Sequence, residues 1–288
     1  MLKITKILVP VDFPNASISV LHQAAMLARH SNAQIVLLHV VTTLSRAAGV
    51  PDPGHELPGW DLLTVVLQEA QKQQDPSLAS ELDGLTIQRI LAKGDPASAI
   101  VRTADAENVD LIMMASHGFT FDQFLLGSVT AKVLHKTEVP LWTGAHVEES
   151  TPQQLTIRNV LCAVDLGPRS DNAVLWASQI AAEFGARLTL AHVTAGVELF
   201  GPGGWHTDQK WKDALVSDAT RRIAKLEQDT GIKAEVFIGS GDVPKILSQA
   251  VKQMNADLLV TACYPYGGNL RTHGYGIISA VPIPVLSV

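Results

Sequence analysis

The segment of this chain best suited to chemistry is an apolar strand pattern that leads into a glycine-containing loop. Residues 110–115 read Asp-Leu-Ile-Met-Met-Ala, Ser-His-Gly follows at 116–118, and Gly-Ser-Val-Thr stands at 127–130. Glycine lets a backbone approach a phosphate closely, and a serine that caps a helix N-terminus leaves backbone N–H groups directed at the same space. The pattern favours a site for an anion such as a nucleotide; the alternative is an ordinary strand-to-helix turn with a conventional cap.

Composition limits the classes of protein to which the chain can belong. Its 288 residues are 47% apolar and 17% charged, which suits two domains that each bury a core. The net charge of -6 comes without a block of Lys and Arg, so nucleic acid is not an expected partner. No apolar run is long enough for a membrane span and the N-terminus reads as a strand, so we predict a cytoplasmic protein without membrane contact. Cys162 and Cys263 lack metal or redox spacing and are predicted to be buried reduced thiols.

The chain carries an internal repeat. The pattern Ile-Leu-Val-Pro-Val-Asp at 7–12 returns as Val-Leu-Cys-Ala-Val-Asp at 160–165, and Leu-Leu-His-Val at 37–40 returns as Leu-Ala-His-Val at 190–193. Gly-Asp at 94–95 and Asp-Leu at 110–111 return in the same order in the second half. Ordered repetition at near-constant spacing indicates duplication. We predict domains at 1–147 and 155–288, with a polar linker between them.

Within each copy, short runs rich in Val, Ile and Leu alternate with helical periodicity. Apolar strands separated by helices predict a parallel sheet covered on both faces. The predicted fold is α/β: two tandem doubly wound domains, each a five-stranded, mainly parallel sheet with helices on both faces. The predicted strands are 4–11, 34–41, 85–91, 109–115, 139–143, 157–164, 187–194, 233–239, 257–262 and 283–288. The predicted helices are 16–30, 60–80, 96–107, 127–136, 170–184, 208–230, 242–255 and 274–280.

Two features interrupt this pattern. Asp75-Pro76 lies inside the second predicted helix, where proline causes a kink or a division into two helices. The stretches 45–58 and 196–206 are rich in Gly and Pro and stand at equivalent places after the second strand of each copy. We expect both stretches to be mobile loops that could act as lids.

The topology gathers the candidate residues at one edge. In open parallel sheets, ligands bind beyond the carboxyl ends of the strands, where the strand order reverses. Asp12, Val40 and the segment 115–118 each end a predicted strand. A carboxylate at this edge can accept hydrogen bonds from ribose hydroxyls, and the alternative for Asp12 is to cap the helix that follows it.

Taken together, these residues resemble the universal stress protein family in its tandem form. The resemblance rests on Val-Pro-Val-Asp-Phe at 9–13, Leu-His-Val at 38–40, Ser-His-Gly at 116–118, Leu-Leu-Gly-Ser-Val-Thr at 125–130 and Val-Pro-Leu at 139–141. It implies a Rossmann-like fold of the adenine nucleotide alpha hydrolase type. It also implies ATP, ADP or AMP as cofactor, with or without Mg, and a regulatory role in the stress response.

The resemblance assigns a set of cofactor-binding residues to the first domain. It places Asp12 and Val40 at the adenosine, Gly118 beside the phosphates, and Gly127, Ser128, Val129 and Thr130 at the phosphate-binding helix start. The adjoining residues Pro10, Val11, Met114, Ala115 and His117 belong to the same predicted site. The family's ATP-binding members carry Gly-x-x-Gly, nine residues and then Gly-Ser or Gly-Thr. Here Ala115 replaces the first glycine, and eight residues, 119–126, form the spacer.

The second copy lacks this motif. Its loop reads Thr-Ala-Cys-Tyr-Pro-Tyr-Gly-Gly-Asn-Leu-Arg-Thr-His-Gly at 261–274, with no Gly-Ser pair before the last helix. Any phosphate there would need Arg271 and Thr272. We expect this domain to be a structural pseudo-partner of the first.

Neither catalytic nor metal-binding residues are predicted. Ser116 and His117 are neighbours on a strand end, so their side chains start toward opposite sides, and no histidine spacing resembles a zinc site. Three functions remain open: a nucleotide-binding regulatory protein, an interaction module without nucleotide, and a weak ATPase in which His117 assists slow hydrolysis or autophosphorylation. The resemblance implies that the last strands, 139–142 and 283–288, join two domains across a twofold axis, as a homodimer or an intrachain pseudo-dimer. A protein partner of unknown identity is also expected.

Overall fold

The computed structural model describes residues 4–11, 18–41, 77–116, 126–144, 156–196, 198–201, 204–207, 209–262 and 271–288. Between residues 155 and 156 the chain divides into two compact units. Among the described residues, both units alternate strands and helices in the same order, and the second unit also contains an antiparallel hairpin. The predicted tandem of two α/β domains is therefore confirmed.

The N-terminal unit is built on a parallel sheet with the strand order β5-β4-β1-β2-β3. Its strands are β1 (Lys6–Pro10), β2 (Gln34–Val41), β3 (Ile87–Lys93), β4 (Leu111–Met114) and β5 (Leu141–Thr143). Its described helices are α1 (Ile18–Ser31), α2 (Ser77–Leu82), α3 (Pro96–Glu107) and α4 (Ser128–Lys136).

Burial follows strand position in this sheet. Every residue of β4 is buried, and the central residues of β1 and β2 are buried as well, because helices cover both faces. The edge strand β3 instead alternates, with Arg89, Leu91 and Lys93 exposed. Charged side chains on an edge strand discourage pairing with a second chain.

The strand order reverses between β1 and β4. From β1 the chain passes through α1 to β2, on one side of β1 in the sheet. Helices α3 and α4 lead to β4 and β5, which are added on the other side of β1. Right-handed crossovers then put α1 and α2 on one face and α3 and α4 on the other. Contacts between α1 and α2, and between α3 and α4, agree with this arrangement. A crevice is expected where the two sets of helices part, beyond the ends of β1 and β4.

The C-terminal unit repeats this sheet with the strand order β12-β11-β6-β7-β10, again parallel. Its first elements are β6 (Asn159–Ala163), α5 (Ser170–Phe184), β7 (Arg187–Thr194), β8 (Glu198–Gly201) and β9 (Gly204–Thr207). They are followed by α6 (Gln209–Thr230), β10 (Glu235–Ser240), α7 (Val243–Gln253), β11 (Leu258–Thr261), α8 (Arg271–Ala280) and β12 (Val285–Ser287). Cys162 lies in β6 and is fully buried, as predicted, and burial raises the pKa of its thiol.

Two boundaries differ from the sequence expectation. The prediction of a loop at 196–206 is wrong, because β8 and β9 form an antiparallel hairpin in which Phe200 pairs with Trp205. The glycines of this stretch flank the turn, and the aromatic residues beside them have high β-propensity. Helix α8 also begins at Arg271, three residues before the predicted start at Gly274.

Several predictions fall outside the described residues. These are the loop 45–58, most of the helix predicted at 60–80 with Asp75-Pro76, and Cys263. Within the described ranges, no helix is both long and apolar enough to span a lipid bilayer.

A polar clip joins α1 to the end of α2. The guanidinium of Arg29 donates to the carbonyl oxygens of Ser80, Glu81 and Asp83 at 2.7 to 3.1 Å. Carbonyls in the last turn of a helix have no intrahelical donor, so one arginine satisfies several of them. The buried ring of His22 adds a 2.6 Å contact from Nδ1 to Oε2 of Glu81.

The clip predicts that alanine substitutions at two exposed arginines lower the stability of the protein by different amounts. Replacing Arg29 by alanine should lower the free energy of unfolding by about 1 kcal/mol, because charge-assisted hydrogen bonds to several carbonyls are lost at an exposed site. Arg102→Ala is the matched control, since Arg102 is exposed on α3 and has no hydrogen bond among the described residues. Urea unfolding followed by circular dichroism measures both. Equal losses in the two variants would contradict the role of the clip.

Candidate functional site

The site forms where three strands of the N-terminal unit end side by side. In the sheet, β1 pairs with β4 through Ile7 and Leu8, and with β2 along its whole length. The carboxyl ends of β1, β2 and β4 therefore share one edge. Of the predicted site residues, this edge brings together Pro10, Val11, Val40, Met114 and Ala115.

Helix α4 is attached directly to the end of β4. The N–H of Gly127 donates to the carbonyl of Ser116 at 2.8 Å, and the hydroxyl of Thr130 donates to the carbonyl of Ala115 at 2.9 Å. A second pair of bonds anchors β4 to the residue after β5: Ser116 Oγ donates to the carbonyl of Gly144 at 3.0 Å, and the Gly144 N–H donates to Met114 at 3.0 Å. The start of the helix is thus held at the edge of the sheet.

The first turn of α4 contains backbone donors that have no acceptor among the described residues. The N-cap residue is Gly127, with φ -56° and ψ 139°, and no side chain caps the helix. The first intrahelical bond runs from the N–H of Ala131 to Gly127. The N–H groups of Ser128, Val129 and Thr130 have no acceptor among the described residues. Donors of this kind, together with the positive end of the helix dipole, are the groups that favour an anion at a helix N-terminus.

The predicted serine cap is therefore wrong. Ser128 is the first helical residue and is exposed, and the cap position belongs to Gly127. Because glycine has no side chain to accept from the helix, the cap residue itself does not occupy the terminal donors. Thr130 is 3% exposed and its hydroxyl donates to the carbonyl of Ala115, so the polar group that Thr130 contributes to the first turn is its backbone N–H.

Ala115 is compatible with the loop. Among the described residues, the non-glycine positions with positive φ are Asn32, Asn108, Leu166 and Asn255, and Ala115 is not one of them. The conformation at this position therefore does not require the glycine that the family motif carries.

The end of β1 is fixed by a histidine. Nδ1 of His39 lies 3.0 Å from the carbonyl of Val11, and the N–H of Val11 donates to Leu38 at 2.8 Å. In the C-terminal unit, Nδ1 of His192 lies 2.8 Å from the carbonyl of Val164. The repeated histidines thus hold the ends of neighbouring strands together.

A polar group that sequence reasoning missed lies beside α4. After Gly94, whose φ is +118°, Asp95 caps α3: its Oδ1 accepts from the N–H of Ser98 at 3.0 Å and from its hydroxyl at 2.7 Å. These bonds, aided by the charges of Lys132 and Lys136, hold the pKa of Asp95 below its ordinary value. Lys132 Nζ lies 3.9 Å from Asp95 Oδ2. The Gly-Asp repeat was visible in the sequence, but its pairing with a lysine of α4 was not.

The comparisons with known proteins decide the family. The model of the universal stress protein family matches the chain twice, over residues 3–143 and 156–271. The chain belongs to the universal stress protein family.

Individual relatives agree with this assignment. Universal stress protein MJ0577 of Methanocaldococcus jannaschii is 32% identical over 151 residues, which are 47% of this chain and 91% of that protein. The crystal structure of a universal stress protein from Archaeoglobus fulgidus aligns over 98% of this chain and 95% of its own, with a TM-score of 0.65 and 23% identity, and shows the same fold. A universal stress protein solved in complex with cAMP matches 49% of this chain and 96% of its own, with a TM-score of 0.35 and 21% identity.

In the second universal stress protein domain, the carboxylate that follows the first strand accepts two local hydrogen bonds. Asp165 occupies the position equivalent to Asp12, and its Oδ1 accepts from the N–H of Gly167 and the hydroxyl of Ser170, both at 2.9 Å. Ser17 stands at the sequence position equivalent to Ser170. Asp12, His117 and Gly118 lie outside the described residues.

The helix that follows the fourth strand also differs between the two universal stress protein domains. Helix α8 packs closely on α7 at Gly276. A side chain at this position would place its Cβ atom only 2.9 Å from Cγ of Pro244. The loop 263–270 that precedes α8, and the side chains of Arg271 and Thr272, lie outside what the structure describes. Within the described ranges, neither domain has a cluster of three or more His, Cys, Asp or Glu residues arranged for a metal ion.

The bond from Thr130 to Ala115 predicts a local stability effect. Thr130→Val should lower the free energy of unfolding by about 1 kcal/mol, because it leaves the part-buried carbonyl of Ala115 without its donor. Thr220→Val on α6 is the matched control: its hydroxyl also donates to a carbonyl, at 2.8 Å, but at an exposed position. We expect the control to change stability by less than about 0.5 kcal/mol. Thermal unfolding of both variants measures the difference, and equal shifts would argue against a stabilising role for the Thr130 bond.

Proposed function

We propose that the N-terminal domain binds an adenine nucleotide, with its phosphates at the N-terminus of α4, and that the protein acts as a nucleotide-binding regulator in the stress response. The observation that carries the proposal is the first turn of α4. Three backbone N–H groups without a described acceptor follow a glycine cap and stand at the edge where β1 and β4 end. An anion bound there gains charge-assisted hydrogen bonds and the favourable end of the helix dipole.

The neighbouring strand ends suit the nucleoside. Val11 and Met114 are buried and apolar, whereas Pro10, Val40 and Ala115 are partly accessible at the same edge. An adenine ring needs such an apolar wall, and backbone groups at the end of a strand supply hydrogen bonds to its edge. In this proposal Asp12 binds the ribose, His117 and Gly118 lie beside the phosphates, and ATP, ADP or AMP is the ligand, with Mg as an optional companion of the phosphates.

Binding rather than turnover is proposed because the described residues supply no activated nucleophile. Ser116, the hydroxyl next to the loop, is 3% exposed and donates to the carbonyl of Gly144. A serine held in this way serves the structure of the loop and does not face a ligand. The C-terminal domain, which lacks the Gly-Ser pair, is proposed to be a structural partner of the first.

Bound or added nucleotide provides the test. Protein purified under native conditions is denatured, and the supernatant is resolved by anion exchange; isothermal titration of the nucleotide-free protein with ATP, ADP and AMP follows. We expect an adenine nucleotide in the supernatant or measurable binding heat. No nucleotide, and no heat at about 1 mM ligand, which already marks very weak binding, would rule the proposal out.

A glycine substitution locates the site. Gly127→Val should abolish binding without loss of fold, because its φ of -56° suits any residue while the new side chain occupies the phosphate position. Gly274→Val is the matched control in the C-terminal domain, where a Cβ atom would meet nothing within 4 Å. Circular dichroism checks that both variants fold. Undiminished binding by a folded Gly127→Val variant would exclude this helix as the phosphate site.

A further inference from the structure

An exposed polar stripe runs along α4 from its first residue. Ser128, Lys132 and Lys136 are spaced four residues apart and are all exposed, whereas Thr130, Val133 and Leu134 are buried against the sheet. Side chains at this spacing lie about 5 to 6 Å apart on one face of a helix, and they lean toward its N-terminus. The ammonium of Lys132 is therefore one helical turn from the open N–H groups of the first turn.

Lys132 is only loosely held by its carboxylate neighbour. Its Nζ lies 3.9 Å from Oδ2 of Asp95, beyond hydrogen-bonding distance, and the two side chains are 58% and 48% exposed. Exposed pairs of this kind contribute little to stability, so the ammonium can leave at little cost. Asp95 stays in place without it, because Oδ1 is bonded to Ser98 as the cap of α3.

The second domain retains the cap but not the lysine. Asp242 caps α7 by accepting from the N–H of Lys245 at 3.1 Å, as Asp95 caps α3. The residue equivalent to Lys132, four positions before the end of the last helix, is Gly276, which lies against Pro244. Within the described residues, a lysine facing the cap is thus found in the domain that carries the Gly-Ser motif and not in its copy.

The charge of a nucleotide exceeds what the helix can balance. A helix N-terminus supplies the equivalent of about half a positive charge, and its open N–H groups suffice for one phosphate. A second or third phosphate brings further negative charge to a chain whose net charge is already -6. Of the lysines on α4, Lys132 lies nearer to the first turn and is placed to neutralise this charge.

We propose that Lys132 distinguishes polyphosphate from monophosphate nucleotides: when ADP or ATP binds, its ammonium leaves Asp95 and pairs with the phosphates beyond the one held by the helix. This role depends on the nucleotide binding proposed above. The site is then specific for nucleoside di- and triphosphates, and Asp95 holds the ammonium while no polyphosphate is bound.

Three variants of the full-length chain test this role, each titrated with ATP and with AMP. Lys132→Met should raise the Kd for ATP about tenfold, because a charge-assisted contact is lost, and change the Kd for AMP less than about twofold. Lys136→Met is the matched control: its Nζ bonds Ser98 Oγ at 3.3 Å and it lies one turn farther from the phosphates, so both Kd values should stay within about twofold. Asp95→Asn keeps a capping residue but removes the competing charge, so ATP should bind about two- to threefold more tightly.

The outcomes separate the two proposals. If the wild-type protein binds no nucleotide, both fail. If it binds, but Lys132→Met weakens ATP and AMP equally or neither of them, nucleotide binding stands and the role of Lys132 is overturned. Weaker ATP binding by Asp95→Asn would mean that Asp95 positions the ammonium of Lys132 for the ligand. It would overturn the proposal that the ammonium moves from Asp95 to the phosphates. A smaller salt dependence of ATP binding in Lys132→Met than in wild type would add support.

Discussion

Two hydrogen bonds between the start of α4 and the end of β4 hold the candidate site together. The N–H of Gly127 and the hydroxyl of Thr130 reach the carbonyls of Ser116 and Ala115, on the two sides of the loop that connects the elements. The position of the helix start is therefore set by the strand rather than by the length of the loop. A spacer one residue shorter than the family motif is compatible with this arrangement, because the ends of the loop are bonded to each other.

Comparison of the two domains separates residues that serve the fold from residues that serve the site. Both domains keep the histidine that reaches the carbonyl at the end of the first strand, and both keep the aspartate that caps the third helix. These contacts hold strand ends and helix starts in register, so each copy needs them whatever it binds. The last helix differs: at the position where α4 carries Lys132, α8 carries Gly276, which packs on Pro244.

The electrostatics of the first domain are local rather than global. The chain as a whole is acidic, so attraction of an anion depends on the orientation of a few groups near α4. The helix dipole is fixed by the backbone, whereas the two lysines of the exposed stripe are on flexible side chains next to the Asp95 cap. A fixed partial charge and a movable full charge thus lie within one helical turn of each other.

The sequence by itself determined the duplication, the apolar strands and the edge of the sheet where the candidate residues meet. Hydrophobic runs and repeated motifs are local signals, and a parallel sheet with helices on both faces leaves few topologies open. Only the tertiary structure decided that Gly127 and not Ser128 is the cap, that the Thr130 hydroxyl faces the protein, that residues 198–207 form a hairpin, and that Lys132 meets Asp95. The reason is physical: composition and periodicity record which residues are buried, whereas the acceptor of a hydroxyl or the partner of an ammonium depends on side-chain direction and on neighbours that are distant in the chain.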